Sequence, residues 1–197
     1  YSKDPRAALQ TLIDQGCPEV YDPDRAYISW MRYVEGEAAP VGAEGSVRIS
    51  VVVPVYETGE AMLREMIGSV RAQSHGNWQL CIADGGSRSP HVRRVLEEAM
   101  RSDARVRVAF LPENRGIAGN SNAALALAEG EYVALLDHDD VLAPFALSEA
   151  ARAIAGHDPD MLYSDEDKLT ADGKRRFMPH FKPDWDAELL RSCNYVA

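Results

Sequence analysis

From Arg48 onward the chain alternates between short apolar runs and longer stretches whose apolar residues recur every three or four positions. The run "RISVVVPVY" (48–56) is apolar and β-branched, the texture of a strand buried on both faces of a parallel sheet. In "EAMLREMIGSVRAQ" (60–73), Met62, Leu63, Met66, Ile67 and Val70 fall on one helical face. "WQLCIAD" (78–84) predicts a second strand, and "SPHVRRVLEEAMRSD" (89–103) a second helix with Pro90 near its start. A third strand is expected in "RVRVAFLP" (105–112) and an Ala-rich helix in "AGNSNAALALAEG" (118–130), closed by Gly130. "EYVALLD" (131–137), "APFALSEAARAIAG" (143–156) and "DMLYSD" (160–165) predict a fourth strand, a fourth helix and a fifth strand. Strand and helix alternating at this spacing imply an α/β sandwich around a largely parallel sheet.

The two ends read differently. Residues 1–46 predict a helical extension and linker, with amphipathic helices in "DPRAALQTLIDQG" (4–16) and "DPDRAYISWMRYVEGE" (22–37) before a Pro- and Gly-rich stretch. This extension is expected to pack rather than to form a site; a partner-binding helix is the other reading. Residues 47–197 form the expected main domain, ending in a hairpin around Asp172-Gly173 and a loop. Tyr1 is not a Met and no closing element follows the loop, so a C-terminally incomplete piece of a longer protein is expected.

Composition narrows the function. With 46% hydrophobic and 26% charged residues the chain has the make-up of a soluble globular domain. Its apolar runs are too short to cross a bilayer, and no signal-peptide core opens it. A net charge of −10 argues against nucleic-acid binding, though not against a nucleotide whose charge a metal ion could meet. Cys17, Cys81 and Cys193 form neither a disulfide framework nor a zinc set, so a reducing cytoplasm is the default.

In open α/β sheets ligands bind beyond the carboxyl ends of the strands. Here those ends carry Pro54, Val55, Tyr56 and Glu57, then "DGGS" (84–87), then "ENRGIAGNSN" (113–122), then "DHDD" (137–140). Each also has a purely structural reading, as a strand end or a turn. The acids Asp137, Asp139 and Asp140 stand apart, because like charges after an apolar strand repel unless a cation relieves them. A hard divalent ion, Mg²⁺ or Mn²⁺, held by carboxylates and gripping a diphosphate would do so, with His138 a spacer or supporting donor.

In this order "VVVPVYE", "CIADGGS" and "ENRGIAGNSNAALALAEGEYVALLDHDD" closely resemble the family 2 inverting glycosyltransferases, which have the GT-A fold. The resemblance runs from about Arg48 to the end, and its most specific block is 114–140. "YSDEDK" (163–168) and "PHFKPDW" (179–185) further resemble a bacterial, rhamnosyltransferase-like subgroup that builds surface polysaccharides. The resemblance implies that Pro54, Val55 and Tyr56 line a base pocket, that Glu57 contacts the nucleoside, and that Asp84 hydrogen-bonds a pyrimidine edge. It makes Asp137 and Asp139 the metal-binding pair, Asp139 the more direct ligand, and Asn122 a family asparagine. Two positions depart: Gly85 stands where a second Asp is usual, and Ser121 where an Arg is.

The implied reaction moves a sugar from a UDP- or dTDP-linked donor to a glycan or lipid-linked acceptor, using a carboxylate base expected beyond Ala197. Lipid-linked acceptors would put the protein at the inner membrane face. Asp165, Glu166 and Asp167 are not assigned as the base, and His180, Lys182 and Trp185 border an acceptor site or simply pack. A non-catalytic nucleotide- or partner-binding module is the alternative. Two other classes lack their marks: no basic phosphate loop follows the first strand, as a nucleotidyltransferase would want, and no G-x-G-x-x-G, as a dehydrogenase would.

Overall fold

The apolar run after Arg48 becomes strand β1 (Ile49–Val55), and its alternating side chains feed two different packing layers. In this computed structural model, which describes residues 23–36, 47–170 and 172–196, β1 is followed by helix α2 (Glu60–Arg71) and strand β2 (Trp78–Asp84). Helix α3 (Pro90–Ser102), strand β3 (Val106–Phe110), helix α4 (Gly116–Leu125), strand β4 (Tyr132–Leu135) and helix α5 (Ala146–His157) complete a unit spanning residues 40–158. The sheet is wholly parallel in the order β3-β2-β1-β4, with Val55 opposite Asp84 and Val52 opposite Leu135.

Val51, Val53 and Val55 of β1 and Leu80 and Ile82 of β2 share one face. There they meet Leu63, Met66, Ile67 and Val70 of α2, Val92, Val95 and Leu96 of α3, and Leu147 and Ala151 of α5. On the other face Val52, Cys81 and Ala83 pack against Ala124 of α4 and its neighbours, and these small side chains let that Ala-rich helix lie close to the sheet. Burial pushes the Cys81 thiol up to about 11, the state of a packing cysteine rather than a reactive one.

At the amino edge of the sheet a buried polar knot replaces apolar packing. Ser50 Oγ donates to Gln79 Oε1 (2.9 Å), which also accepts from Glu129 N (3.0 Å), while Gln79 Nε2 donates to Leu127 O (3.1 Å). Gly130 N donates to Ser50 Oγ (2.9 Å). These demands explain why α4 stops at Leu125, short of the expected 130: residues 127–130 leave the helix to satisfy Gln79 and Ser50.

The second unit comprises 1–39 and 159–197, and is described by itself. Helix α1 (Pro23–Gly36), expected from its amphipathic pattern, belongs here, whereas the helix expected at 4–16 lies outside the described residues. Residues 160–165, expected as a fifth strand, form none; Met161 and Leu162 stay exposed, and backbone pairing goes to the hairpin β5 (Glu166–Leu169) and β6 (Arg176–His180). Its turn holds Gly173 at φ 67°, a left-handed position that favours glycine. A short helix α6 (Ala187–Ser192), where a loop was expected, is capped by Asp186, whose carboxylate accepts from Glu188 N and Leu189 N.

Tyr27 and Trp30 of α1 pack on Phe181, with the Trp30 and Phe181 rings 5.1 Å apart and edge-on. Tyr27 Oη donates to Asp167, which also pairs with Arg176, and Arg176 reaches Glu35. Burial, followed by the bond to Asp167, raises the Tyr27 phenol well above its ordinary value. The aromatic stretch expected to belong to a separate extension (1–46) thus groups with the C-terminal residues. No helix among the described residues is long and apolar enough to cross a membrane.

Candidate active site

The carboxyl edge of the parallel sheet opens into a cleft of about 210 Å³. Its lining brings together Pro54, Val55 and Tyr56 from the end of β1, Asn114, Gly116, Ile117 and Asn120 from the start of α4, and Asp137, His138 and Asp139 from the loop after β4. Residues spread from 54 to 139 meet because the parallel strands β1, β3 and β4 all end on this side. A larger groove of about 300 Å³ runs between the C-terminal halves of α2 and α3. Those halves face the opposite edge of the sheet, and Arg64 there is already paired to Glu60 and Glu98, both at 2.9 Å. The smaller cleft is therefore the candidate site.

Within it the side chains differ in what they offer. Val55 is fully buried and contributes backbone, whereas Tyr56 is 41% exposed and presents its ring. Asp137, Asp139 and Asp140 are all exposed, so water relieves much of the repulsion that their spacing suggests, and crowding alone does not require a cation. His138 Nδ1 is buried without a hydrogen-bond partner, 3.7 Å from Asp139 Oδ1. Leu136 N donates to Val52 O (3.1 Å) and Asp140 N to Asp137 O (3.3 Å), so the acidic loop begins where the sheet pairing ends.

Glu57 and Asp84 lie beside the cleft but not in its lining. The Glu57 carboxylate accepts from Ser89 Oγ (2.5 Å), Arg88 N (2.6 Å) and Ser89 N (3.3 Å), just ahead of α3. The Ser89 hydroxyl first, then the Arg88 N–H, holds its carboxyl below the usual range. Glu57 sits at φ 52°, a left-handed conformation unusual for a side-chain-bearing residue, and its own N–H donates to Ser87 Oγ (2.9 Å). Asp84 is buried and accepts from Ser87 N (3.0 Å). Gly86, at φ 74°, lies where a Cβ would come 3.1 Å from the backbone of Glu113. Together these contacts fix the β1, β2 and β3 loops to one another.

Asn122 is exposed and outside the lining; Asn114 and Asn120 occupy it instead. Asn120 is 3% exposed, and its amide lies where a side chain at Gly85 would be. In the other unit the acids at 165–167 are all engaged. Asp165 accepts from Lys182 N (2.7 Å), Glu166 meets His180 (3.1 Å) and Lys182 Nζ (3.2 Å), and Asp167 holds Tyr27 and Arg176. Lys182 is itself buried, a packing role rather than that of a free cation, while Trp185 is 54% exposed.

An uncharacterized protein of Sinorhizobium fredii is 43% identical over 199 residues, covering 99% of this chain and 22% of the relative. The O-antigen biosynthesis protein RfbC of Myxococcus xanthus is 41% identical over 197 residues, covering 96% of this chain and 15% of that protein. The chain thus spans less than a quarter of the length of either curated relative. Among solved structures, S. aureus TarS in complex with UDP superposes with a TM-score of 0.57 at 29% identity, covering 63% of this chain and 36% of the other. The fold is GT-A-like, and the sequence profile named Glycosyl transferase family 2 matches residues 50–191. This chain belongs to glycosyl transferase family 2.

Proposed function

We propose that this chain carries the donor-binding part of an inverting glycosyltransferase, which moves a sugar from a nucleotide diphosphate sugar to a glycan or lipid-linked acceptor in bacterial surface-polysaccharide synthesis. The observation that carries this reading is the convergence of an aromatic loop, two asparagine amides and an acidic loop on one cleft at the carboxyl edge of the sheet. Family membership supports the sugar, the likeness to the O-antigen biosynthesis protein RfbC supports the setting, and the likeness to UDP-bound TarS supports the nucleotide. At about 210 Å³ the cleft is smaller than the roughly 300–1,000 Å³ of sites that enclose a whole drug-sized ligand. It accommodates only part of the donor, with the sugar outside.

The residues present fit a divalent cation, Mg²⁺ or Mn²⁺. Asp137 and Asp139 line the cleft from one loop, and His138 Nδ1 is buried beside them without a partner. Among the described residues no group of three or more metal-binding side chains occurs. Two carboxylates without a closed cage suit an ion that takes its other oxygens from a diphosphate and water. Such an ion, when bound, offsets the negative charge that develops on the leaving diphosphate. Tyr56 then covers the base, the backbone of Pro54 and Val55 shapes its pocket, and Asp137, His138 and Asp139 face the diphosphate. Glu57 and Asp84 act by holding the surrounding loops. The general base is assigned to residues other than Asp165, Glu166 and Asp167, since all three are engaged.

Calorimetric titration of UDP and dTDP, with and without Mn²⁺, tests this reading; the rhamnosyltransferase-like resemblance makes dTDP the second nucleotide to try. Binding of one of them that strengthens with Mn²⁺ is expected. Equal binding without the ion would remove the metal from the proposal. Folded protein that binds neither nucleotide under either condition would overturn the donor-binding reading itself.

A further inference from the structure

We propose that Asn120, whose amide fills the space a side chain at Gly85 would take, selects the nucleobase by donating an amide N–H into the cleft to the C4 keto oxygen of the donor's base; this rests on the donor-binding reading above. A Cβ added at Gly85 would lie 2.4 Å from Asn120 Nδ2, 3.1 Å from its Cγ and 3.3 Å from Asn114 Oδ1. Real side chains do not approach so closely, so the amide of Asn120 occupies the place that a side chain at 85 would need. Position 85 is also where the family resemblance would put a second acid.

The orientation of that donor is fixed by groups that cannot be reversed. Gly116 N donates to Asn114 Oδ1 (2.9 Å) and Arg115 N donates to Asn120 Oδ1 (3.2 Å). Backbone N–H groups only donate, so both amides have their oxygens where these bonds end. Asn120 Nδ2 therefore points toward Asn114 Oδ1, to which it donates at 3.0 Å, and toward Gly85. An amide nitrogen carries two hydrogens, and this bond uses one. Asn120 is 3% exposed yet lines the cleft, so a ligand there meets a donor held in place by two hydrogen bonds. Uracil presents a keto oxygen where cytosine presents an amino group. The keto base gains a hydrogen bond from the second N–H, and the amino base meets donor with donor.

Binding of UDP and CDP in the presence of Mn²⁺ separates the outcomes, measured on the unaltered chain, on Asn120→Ala and on Gly85→Ala. The unaltered chain is expected to prefer UDP by about tenfold or more. Asn120→Ala is expected to bring the two nucleotides to within about twofold, chiefly by weakening UDP. Gly85→Ala keeps Asn120 but pushes its amide out of place, and is expected to narrow the ratio too; it also serves should Asn120→Ala fail to fold. A UDP preference that survives in the folded variants overturns the assignment of Asn120 while leaving the donor-binding reading intact. Equal binding of UDP and CDP by the unaltered chain overturns it too. Failure of the unaltered, folded chain to bind either nucleotide overturns the donor-binding reading and this inference together.

Discussion

Asp139→Ala is expected to abolish Mn²⁺-dependent UDP binding, a loss of at least about 100-fold, while folding stability stays within the roughly 0.5 kcal/mol of an ordinary surface exchange. The two halves of this expectation come from different observations. Among the described residues that line the cleft, only Asp137 and Asp139 carry carboxylates, so on the proposed reading removing one leaves a single carboxylate to hold the ion. Even the outer partners of metal ligands are worth about 10–100-fold in affinity, and a direct ligand exceeds that. Asp139, for its part, is 54% exposed at the side chain, and its one described ion-pair contact is a loose 3.7 Å approach of His138 Nδ1. Nothing in its surroundings makes folding depend on it, and losing one of three neighbouring negative charges relieves repulsion. Asp139→Asn keeps the shape and loses the charge, and it should fail like the alanine variant. Calorimetry with UDP and Mn²⁺ reads the first effect and urea unfolding of the free protein the second. If Asp139→Asn bound UDP normally, the loop would be shaped for a turn and not for an ion. If Asp139→Ala lost binding and also unfolded readily, the acid would be structural.

The contrast between elements and site chemistry explains what could be read from residue order. β2 spans Trp78–Asp84, the run expected as a strand, and α2 and α3 follow their apolar faces to within two residues at either end. These elements are set by local period and by burial on both sheet faces, which the chain displays directly. The stretch 160–165 shows the limit of that signal. Its apolar residues look like a strand, but a strand exists only with a partner, and the nearby chain favours an antiparallel hairpin closed at Gly173. The site was legible in part for the same reason. Strand ends announce themselves, so Tyr56 and the acidic loop fall where expected. The partners of Glu57 lie 31 and 32 residues away, and no local pattern reveals that its carboxylate is spent on Arg88 and Ser89. Asn120 was hidden similarly, because its room comes from Gly85. The missing side chain at 85 was the available signal, and it had meaning only once the two positions were seen face to face.

Gly130→Ala is expected to destabilise the fold by about 2–6 kcal/mol, whereas the same exchange at Gly68 is expected to stabilise it by about 0.5–1 kcal/mol. Gly130 does not occupy a left-handed backbone conformation, so the penalty is one of space. A Cβ there would lie 2.6 Å from Arg48 O, 2.8 Å from Ser50 N and 2.8 Å from Ser50 Oγ. Two of these atoms are backbone of or beside β1, which is held between β2 and β4 and cannot recede. Ser50 Oγ cannot swing aside either without giving up Gln79 Oε1 and the Gly130 N–H, both inside the buried knot. Overpacking of about 1–3 kcal/mol thus adds to about 1–3 kcal/mol for buried polar groups left unpaired. Against a total stability of roughly 5–15 kcal/mol, that is a large fraction. Gly68 is exposed within α2 and has nothing within 4 Å of a Cβ, so alanine there only removes backbone freedom from the unfolded chain. Urea unfolding of both variants gives the comparison, and a Gly130→Ala midpoint near that of the unaltered chain would mean the amino edge has slack. Because that edge lies across the sheet from the cleft, a Gly130→Ala protein that remains folded at low temperature should bind UDP as the unaltered chain does. Stability and ligand chemistry would then be separable along the same strands, the knot at Ser50 and Gln79 serving one and the loops beyond Val55 and Leu135 the other.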